Sequence, residues 1–261
     1  MAEERGELSA ERSLVTIIVT GGTKGIGLAI AERLARPGQR LVLAYRNDEA
    51  AAREAVARLA PTGATVITVR ANVGEIEGAT KLINASAGGD DLVHLVHSAA
   101  MIYPTTLLDA DLAKFTEAVH VNGLSLLYLV QKASPLLSRG SSIVFITSAG
   151  ARMAQVNYAA LGVGKALAES LVRYFVQELA PKGIRINAVA PGLVATTSVA
   201  GMVGGEEAAA KVLERAARSN PSGRLSRDSD YTSVVEFLLS PAAEFVQGQV
   251  IHANGGAYIP A

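Results

Sequence analysis

Apolar residues fall along this chain in two alternating rhythms. Short β-branched runs at 14–20, 40–44, 65–70, 92–96, 142–147, 184–189 and 249–252 read as strands. Between them, 26–36, 48–59, 75–87, 112–137, 157–180 and 231–239 carry apolar residues at helical spacing. Several strand runs, such as Leu41-Val42-Leu43 and Ile143-Val144-Phe145-Ile146, are continuously apolar, as strands covered on both faces should be. Strands alternating with helices of this length predict βαβ units and a parallel sheet. No Pro/Gly/Ser-rich linker or internal repeat divides the chain. The expectation is α/β: one doubly wound Rossmann-type domain of about seven parallel strands over 14–261, after a charged tail at 1–13.

The rhythm lapses between Pro191 and Asn220, where a Gly-rich first half precedes a short amphipathic helix. This segment follows a strand, so it lies at the carboxyl edge of the sheet, where such folds bind ligands. A lid over a site is expected there, against the alternative of a plain surface excursion.

Composition narrows the chemistry. Of 261 residues, 49% are hydrophobic and 18% charged, a globular balance. Lys+Arg and Asp+Glu both number 24, so no basic excess points to nucleic acid. With no cysteine there is no disulfide, thiolate metal site or cysteine nucleophile, which accords with a reducing cytoplasm. His94, His97, His120 and His252 lack metal-ligand spacing. No apolar run reaches the ~20 residues of a membrane span, and residues 1–13 lack the basic-then-apolar pattern of a signal peptide. A cytoplasmic, metal-free protein is expected, bound to neither membrane nor nucleic acid.

The string Thr20-Gly21-Gly22-Thr23-Lys24-Gly25-Ile26-Gly27 follows the first strand and opens the first helix. Glycines there permit a tight turn and let backbone N–H groups and the positive helix end face a pyrophosphate. After the second strand, where a carboxylate commonly binds a ribose diol, the chain reads Ala44-Tyr45-Arg46-Asn47. Arg46, with Lys24, suits a 2′-phosphate, so NADPH is expected over NADH.

Further features stand in register with this loop: Asn72-Val73 after the third strand, Asn122 in the long helix, Ser148 ending the fifth strand, and Tyr158 and Lys165 opening the next helix. Pro191-Gly192, Thr196 and Asn254-Gly255-Gly256 follow in order. Together they resemble the short-chain dehydrogenase/reductase superfamily over residues 14–259. Two departures are informative. Most members carry Tyr-x3-Lys, but here Leu161 holds that tyrosine position, and Tyr158 with Lys165 looks like the Tyr-x6-Lys of enoyl-acyl-carrier-protein reductases. The run Glu169…Arg173-Tyr174 is similar to that branch too. The usual Asn-Asn-Ala-Gly after the fourth strand is replaced by His97-Ser98-Ala99-Ala100.

Seven helical residues turn through ~700°, so Tyr158 and Lys165 are expected on one face, with the tyrosine ~4.5 Å nearer the helix start than residue 161. Hydride addition to the β-carbon of an enoyl thioester develops charge on an oxygen roughly 3 Å from the acceptor carbon, against ~1.2 Å for a ketone. A displaced tyrosine suits the former. The resemblance therefore implies hydride transfer from NADPH to an enoyl thioester on acyl carrier protein or coenzyme A, as in fatty acid or polyketide biosynthesis. Reduction of a ketone is the alternative; a third reading is a nucleotide sensor that kept the fold and lost the chemistry, whose mark would be loss of the tyrosine–lysine pair that is present here.

The resemblance implies these roles. Tyr158 donates to the substrate oxygen, Lys165 holds the nicotinamide ribose and favours a tyrosine of lowered pKa, Ser148 bonds the carbonyl, and Asn122 shapes the helix and supports a water chain. Cofactor contacts fall on Gly21, Thr23, Lys24, Gly25, Ile26, Gly27, Arg46, Ser98 and Ala99. Asn72 is expected on the adenine with Val73 packing on it, while Pro191-Gly192 shapes the bend over the nicotinamide, Thr196 bonds the carboxamide or the pyrophosphate, and Val194 is a further cofactor contact. Tyr103 and Met202 are candidates for the substrate pocket. His97 reads as a satisfied strand-end histidine, and His94 and His252 as packing or surface residues. A homotetramer through the helices at 112–137 and 157–180 is the expected assembly.

Overall fold

A computed structural model describes residues 15–88 and 92–260; the expected tail at 1–13 and Leu14 of the first strand lie outside the described residues. Strands β1 (Val15–Thr20), β2 (Gln39–Tyr45), β3 (Thr65–Arg70), β4 (Leu92–His97), β5 (Ser142–Ile146), β6 (Arg185–Pro191) and β7 (Val250–Ala253) form one sheet in the order β3-β2-β1-β4-β5-β6-β7. Every pairing is parallel. The helices are α1 (Gly25–Leu34), α2 (Glu49–Leu59), α3 (Ile76–Ser86), α4 (Leu112–Val119), α5 (Ser125–Ala133), α6 (Ala159–Leu179), α7 (Thr197–Val203), α8 (Glu206–Ser219) and α9 (Asp228–Leu239).

Successive strand side chains point to opposite faces, and both faces are apolar. Ile18, Val42, Leu95 and Phe145 join Leu82, Leu129 and Val172 in one core layer. Ile17, Leu41, Leu43 and Val144 join Ile30, Leu59 and Val235 in the other. Covering on both sides explains the unbroken apolar runs, and each fully buried Leu, Ile or Phe contributes about 1.5–3 kcal/mol. The buried Arg185 guanidinium donates to the carbonyls of Leu238, Ala243 and Ser240, so a cation closes the carboxyl end of α9.

The strand order reverses at β1, which lies between β2 and β4; Thr20 is level with Ala44 and with His97. The crevice outside those carboxyl ends is where a doubly wound sheet binds its ligand.

Three elements differ from their sequence pattern. The expected helix at 112–137 is two helices joined by a π turn at His120–Leu124, and it stops at Ala133 because Pro135 cannot continue it. Asn122 therefore sits in a widened turn, not in regular helix. The helix expected from 157 begins at Ala159: Asn157 is left-handed (φ 58°), and Tyr158 stands at the N-cap with φ −100° and ψ 0°. The Gly-rich half of 191–220 is not loop throughout, since it forms α7 before Gly204 and Gly205 end it.

Candidate active site

At the crevice, Gly21 adopts φ 63°, and a Cβ there would lie 2.9 Å from the Ala99 Cα. The glycine loop and the segment after β4 thus meet backbone to backbone. A Cβ on Gly27 would overlap the Gly21 carbonyl oxygen, so α1 can begin this close to β1 only with glycine. Thr23 is buried, and Thr196 faces Gly25 across the crevice with its Cγ2 3.7 Å from where a Cβ would stand. A side-chain-free cradle at a helix N-terminus fits a dinucleotide pyrophosphate.

The loop is fixed from behind. Thr20 Oγ1 accepts from the backbone N–H groups of Ser98 and Ala99 and shares a hydrogen bond of 2.6 Å with His97 Nδ1. His97 Nε2 lies 2.6 Å from Ser125 Oγ, which itself donates to the Val121 carbonyl in the π turn. Ser125 has spent its proton, so Nε2 must donate and Nδ1 must accept from Thr20. His97 is thus a neutral, fully satisfied histidine, and burial holds its pKa down to about 3. The turn's Asn122 accepts from Met101 N–H and donates to the Met101 carbonyl, clamping the same loop at its other end.

On the side expected to take the adenosine lies an open groove of about 510 Å³ lined by Arg46, Asn47, Arg70, Ala71, Asn72 and Lys81. Arg46 and Lys24 come to this edge, each in an exposed ion pair: Arg46 with Glu117 at 2.5 Å, Lys24 with Asp48 at 3.1 Å. Such pairs are worth about 0–1 kcal/mol, so an incoming phosphate can displace them. Arg70, level with Tyr45 on the neighbouring strand, adds a cation the sequence reading overlooked. Asn72 lines this groove while its side chain closes the turn into α3, accepting from Gly74 N–H and donating to Glu75. Val73 is 4% exposed and belongs to the core, because the chain turns inward there to start α3.

The last residues of β5 and the loop after it hold the polar groups of α6 in sequence. The Ile146 carbonyl accepts from Lys165 Nζ at 2.6 Å, Thr147 Oγ1 donates to Glu169 at 2.8 Å, and Ser148 Oγ accepts from Tyr158 Oη at 3.0 Å. Lys165 lies 4.6 Å from the Phe145 ring centroid and is buried, which lowers its pKa to about 7; Glu169 opposes that lowering. Tyr158 corrects another expectation. Burial raises its phenol above the usual value, and only the Ser148 hydrogen bond pulls the other way. The helical-rotation argument also needs replacing, since Tyr158 precedes α6 and is placed by its contacts with Gly150 and Ser148.

Pro191 ends β6, and Gly192 packs closely on the loop after β7, where a Cβ would stand 3.1 Å from the Asn254 Cα. Val194 is buried in the core layer beneath α1. α7 stands over the segment after β4, with Gly201 facing Ile102. Met202 lies on α7, half-buried, while the Tyr103 hydroxyl accepts from Asp111 N–H at the head of α4. Among the described residues no group of three or more His, Cys, Asp or Glu could hold a metal, and no helix is long and apolar enough to cross a membrane.

The comparisons agree with this geometry. A family described as enoyl-(acyl carrier protein) reductase matches residues 21–258. An uncharacterized oxidoreductase of Methylorubrum extorquens is 33% identical, covering 92% of this chain and 96% of that one. A 1-cyclohexenylcarbonyl-CoA reductase of Streptomyces collinus is 32% identical over 97% of this chain and 90% of its own. Among solved structures, the angucycline C-6 ketoreductase LanV with bound NADP superposes with a TM-score of 0.81 at 27% identity, over 93% of this chain and 95% of that one. Fold, glycine cradle and family match converge: the chain belongs to the short-chain dehydrogenase/reductase superfamily and is an oxidoreductase of that type.

Proposed function

We propose that this protein is an NADPH-dependent reductase that adds hydride to the β-carbon of an α,β-unsaturated thioester on acyl carrier protein or coenzyme A. One observation carries the reading: the position four residues before Lys165, where Tyr-x3-Lys would place its tyrosine, is filled by Leu161, 5% exposed, while a phenol reaches Ser148 from Tyr158 at the helix cap. A phenol set back from the lysine suits charge that develops on a remote thioester oxygen. The matched family's description and the Streptomyces relative's acyl-CoA chemistry support it.

The bound nicotinamide supplies the hydride and its electron pair. That pair becomes the new C–H bond at the β-carbon, the C=C pair shifts into the bond between the α-carbon and the carbonyl carbon, and the C=O pair moves onto the thioester oxygen, to which Tyr158 Oη donates while Ser148 orients that phenol. Protonation at the α-carbon then restores the thioester, so one hydride and one proton have been added. Lys165, anchored on the Ile146 carbonyl, is positioned to hold the ribose hydroxyls, and its charge steadies the developing anion. Arg46, Arg70 and Lys24 would receive the 2′-phosphate, and 191–220 would close over the acyl group. A homotetramer in the cytoplasm is part of this reading.

A second reading, reduction of a carbonyl, is favoured by the 3.0 Å contact between Tyr158 and Ser148, since two hydroxyls converging on one oxygen is what a ketone needs. NADPH oxidation followed with a crotonyl thioester and with a ketone panel separates the two. Turnover of the thioester is expected; turnover of ketones alone overturns the enoyl assignment.

A further inference from the structure

The fourth residue after Lys165 is an acid that the mechanism above leaves idle. Glu169 lies one turn along α6, on the same buried face, and is 3% exposed against 4% for Lys165. A carboxylate this deep requires partners. Both of its oxygens have one: Thr147 Oγ1 donates to Oε1 and Arg152 Nε to Oε2, each at 2.8 Å. Thr147 lies between Ile146, which receives Lys165, and Ser148, which receives Tyr158. Arg152, on the loop after Ser148, reaches solvent with a side chain 36% accessible, whereas Thr147, Lys165 and Glu169 are buried.

The surroundings of the two charges can be named element by element. Lys165 faces the Phe145 ring of β5, His97 at the end of β4, which is neutral, and Glu169 on its own helix. Glu169 faces Thr147 and Arg152 after β5, Lys165 on α6, and His252 on β7. His252 is held below the ordinary histidine value by burial first and by Arg152 second, so it is neutral near pH 7. The charge set against the burial of Lys165 is therefore the Glu169 carboxylate, which the Arg152 guanidinium holds in turn.

We propose that Glu169 is a positioning residue for hydride transfer: its carboxylate, fixed by Thr147 and Arg152, is the counter-charge of the buried Lys165 ammonium and locks the end of β5 that carries Ser148. This rests on the assignment of Tyr158 and Lys165 as the working pair, and holds for enoyl or carbonyl substrates alike. A buried lysine with a value of about 7 titrates where a neighbouring charge matters most. As pH rises through that value the ammonium is lost, and with it the hold on the ribose hydroxyls.

Two substitutions distinguish charge from shape. Glu169→Gln preserves size and the ability to accept from Thr147 but removes the charge. Glu169→Asp preserves the charge and shortens the reach. NADPH affinity, measured by cofactor fluorescence from pH 5.5 to 9, needs no knowledge of the substrate. The wild type is expected to lose affinity on the alkaline side; Glu169→Gln moves that break about one unit lower, and Glu169→Asp leaves it nearer the wild-type position. A purely structural role gives the reverse order, the isosteric Gln being the milder change, and overturns the proposal. Should Glu169→Gln not fold, Arg152→Gln reports instead: removing the cation leaves the carboxylate facing Lys165, so the break moves higher, and an unmoved break overturns the proposal. Lys165→Met must abolish the break altogether. If it does not, the working pair itself is misassigned and the inference falls with it; if it does while Glu169→Gln changes nothing, only the inference falls.

Discussion

The ring of Tyr158 lies on the bare Cα of Gly150: a Cβ built there would overlap Cε1 and stand 2.6 Å from Cδ1. Gly162, at the first turn of α6, closes the same slot, its Cβ position 2.6 Å from the Gly150 carbonyl. Gly150→Ala must therefore push the phenol off its post without touching a hydrogen-bonding group. We expect kcat to fall about 100-fold, as for an angstrom-scale misplacement, with NADPH affinity unchanged and the melting temperature lowered by only a few degrees. Steady-state kinetics beside a thermal melt checks this, and wild-type kcat in the alanine variant would show that the ring's seat is not what places the hydroxyl.

Tyr158→Phe removes the donor and keeps the ring. A loss of about 10²–10⁴ in kcat is expected, the range for a positioned proton donor. Ser148→Ala, which leaves Tyr158 Oη without its acceptor, should cost less with an enoyl thioester than with a ketone, because only the ketone needs both hydroxyls on one oxygen. Parallel rates of the two variants on both substrate classes provide the measurement; equal sensitivity on both would remove the distinction drawn between the two chemistries.

Glu117 holds Arg46 at 2.5 Å, at the edge of the groove assigned to the 2′-phosphate. Arg46→Ala should raise the KM for NADPH about 10–100-fold, the worth of a hydrogen bond to a charged group, and change that for NADH little. Glu117→Gln should lower the KM for NADPH, since the arginine no longer leaves an ion pair to meet the phosphate. Initial rates with both cofactors at low and high salt test the pair together, and an Arg46→Ala variant as tight for NADPH as the wild type would place the phosphate elsewhere.

Two buried histidines set the acid limit. His97 is held down to about 3 and His94 to about 4, in both cases first by burial; the second cause is Lys165 for His97 and Arg185 for His94. The unfolded chain takes up these protons near pH 6.5 and the folded chain does not, so the folded state binds fewer protons below that point. Stability is therefore present in full above pH 6.5 and falls as pH drops toward 4 and 3, each histidine contributing about 1.4 kcal/mol per pH unit within its own window. His97→Asn should remove one proton's worth of slope between pH 6 and 4. Urea unfolding across that range reads it directly, and an unchanged slope would mean that His97 titrates in the native state.

Much of the architecture was legible because the forces that build it are local in sequence. Each buried strand needs its own unbroken apolar run and each covering helix its own periodic stripe, so the alternation alone predicts a parallel sheet flanked on both sides. The glycine loop was legible for the same reason, since its turn, its close approach and its helix start all lie within eight residues. What periodicity could not carry was the interruption of a helix. Asn122-Gly123 and Pro135 are the breakers within 112–137, but the apolar period runs on across Asn122-Gly123, and the π turn there is held by contacts with Met101 and Gly164, far away along the chain. Charge partners were equally hidden: Asp48, Glu117 and Arg152 meet Lys24, Arg46 and Glu169 only once strand ends and helix starts have been gathered at one edge.

The sequence by itself determined that a doubly wound sheet would present a phosphate cradle, a serine at a strand end, and a tyrosine and lysine at Tyr-x6-Lys spacing, because each depends on residues near one another in the chain. Tertiary structure alone decided where the phenol sits and what the lysine's charge faces. Tyr158 is placed by Gly150 and Ser148 across a loop instead of by the rotation of its helix, and the electrostatics of Lys165 follow from burial, which arises only when β5 and α6 pack together.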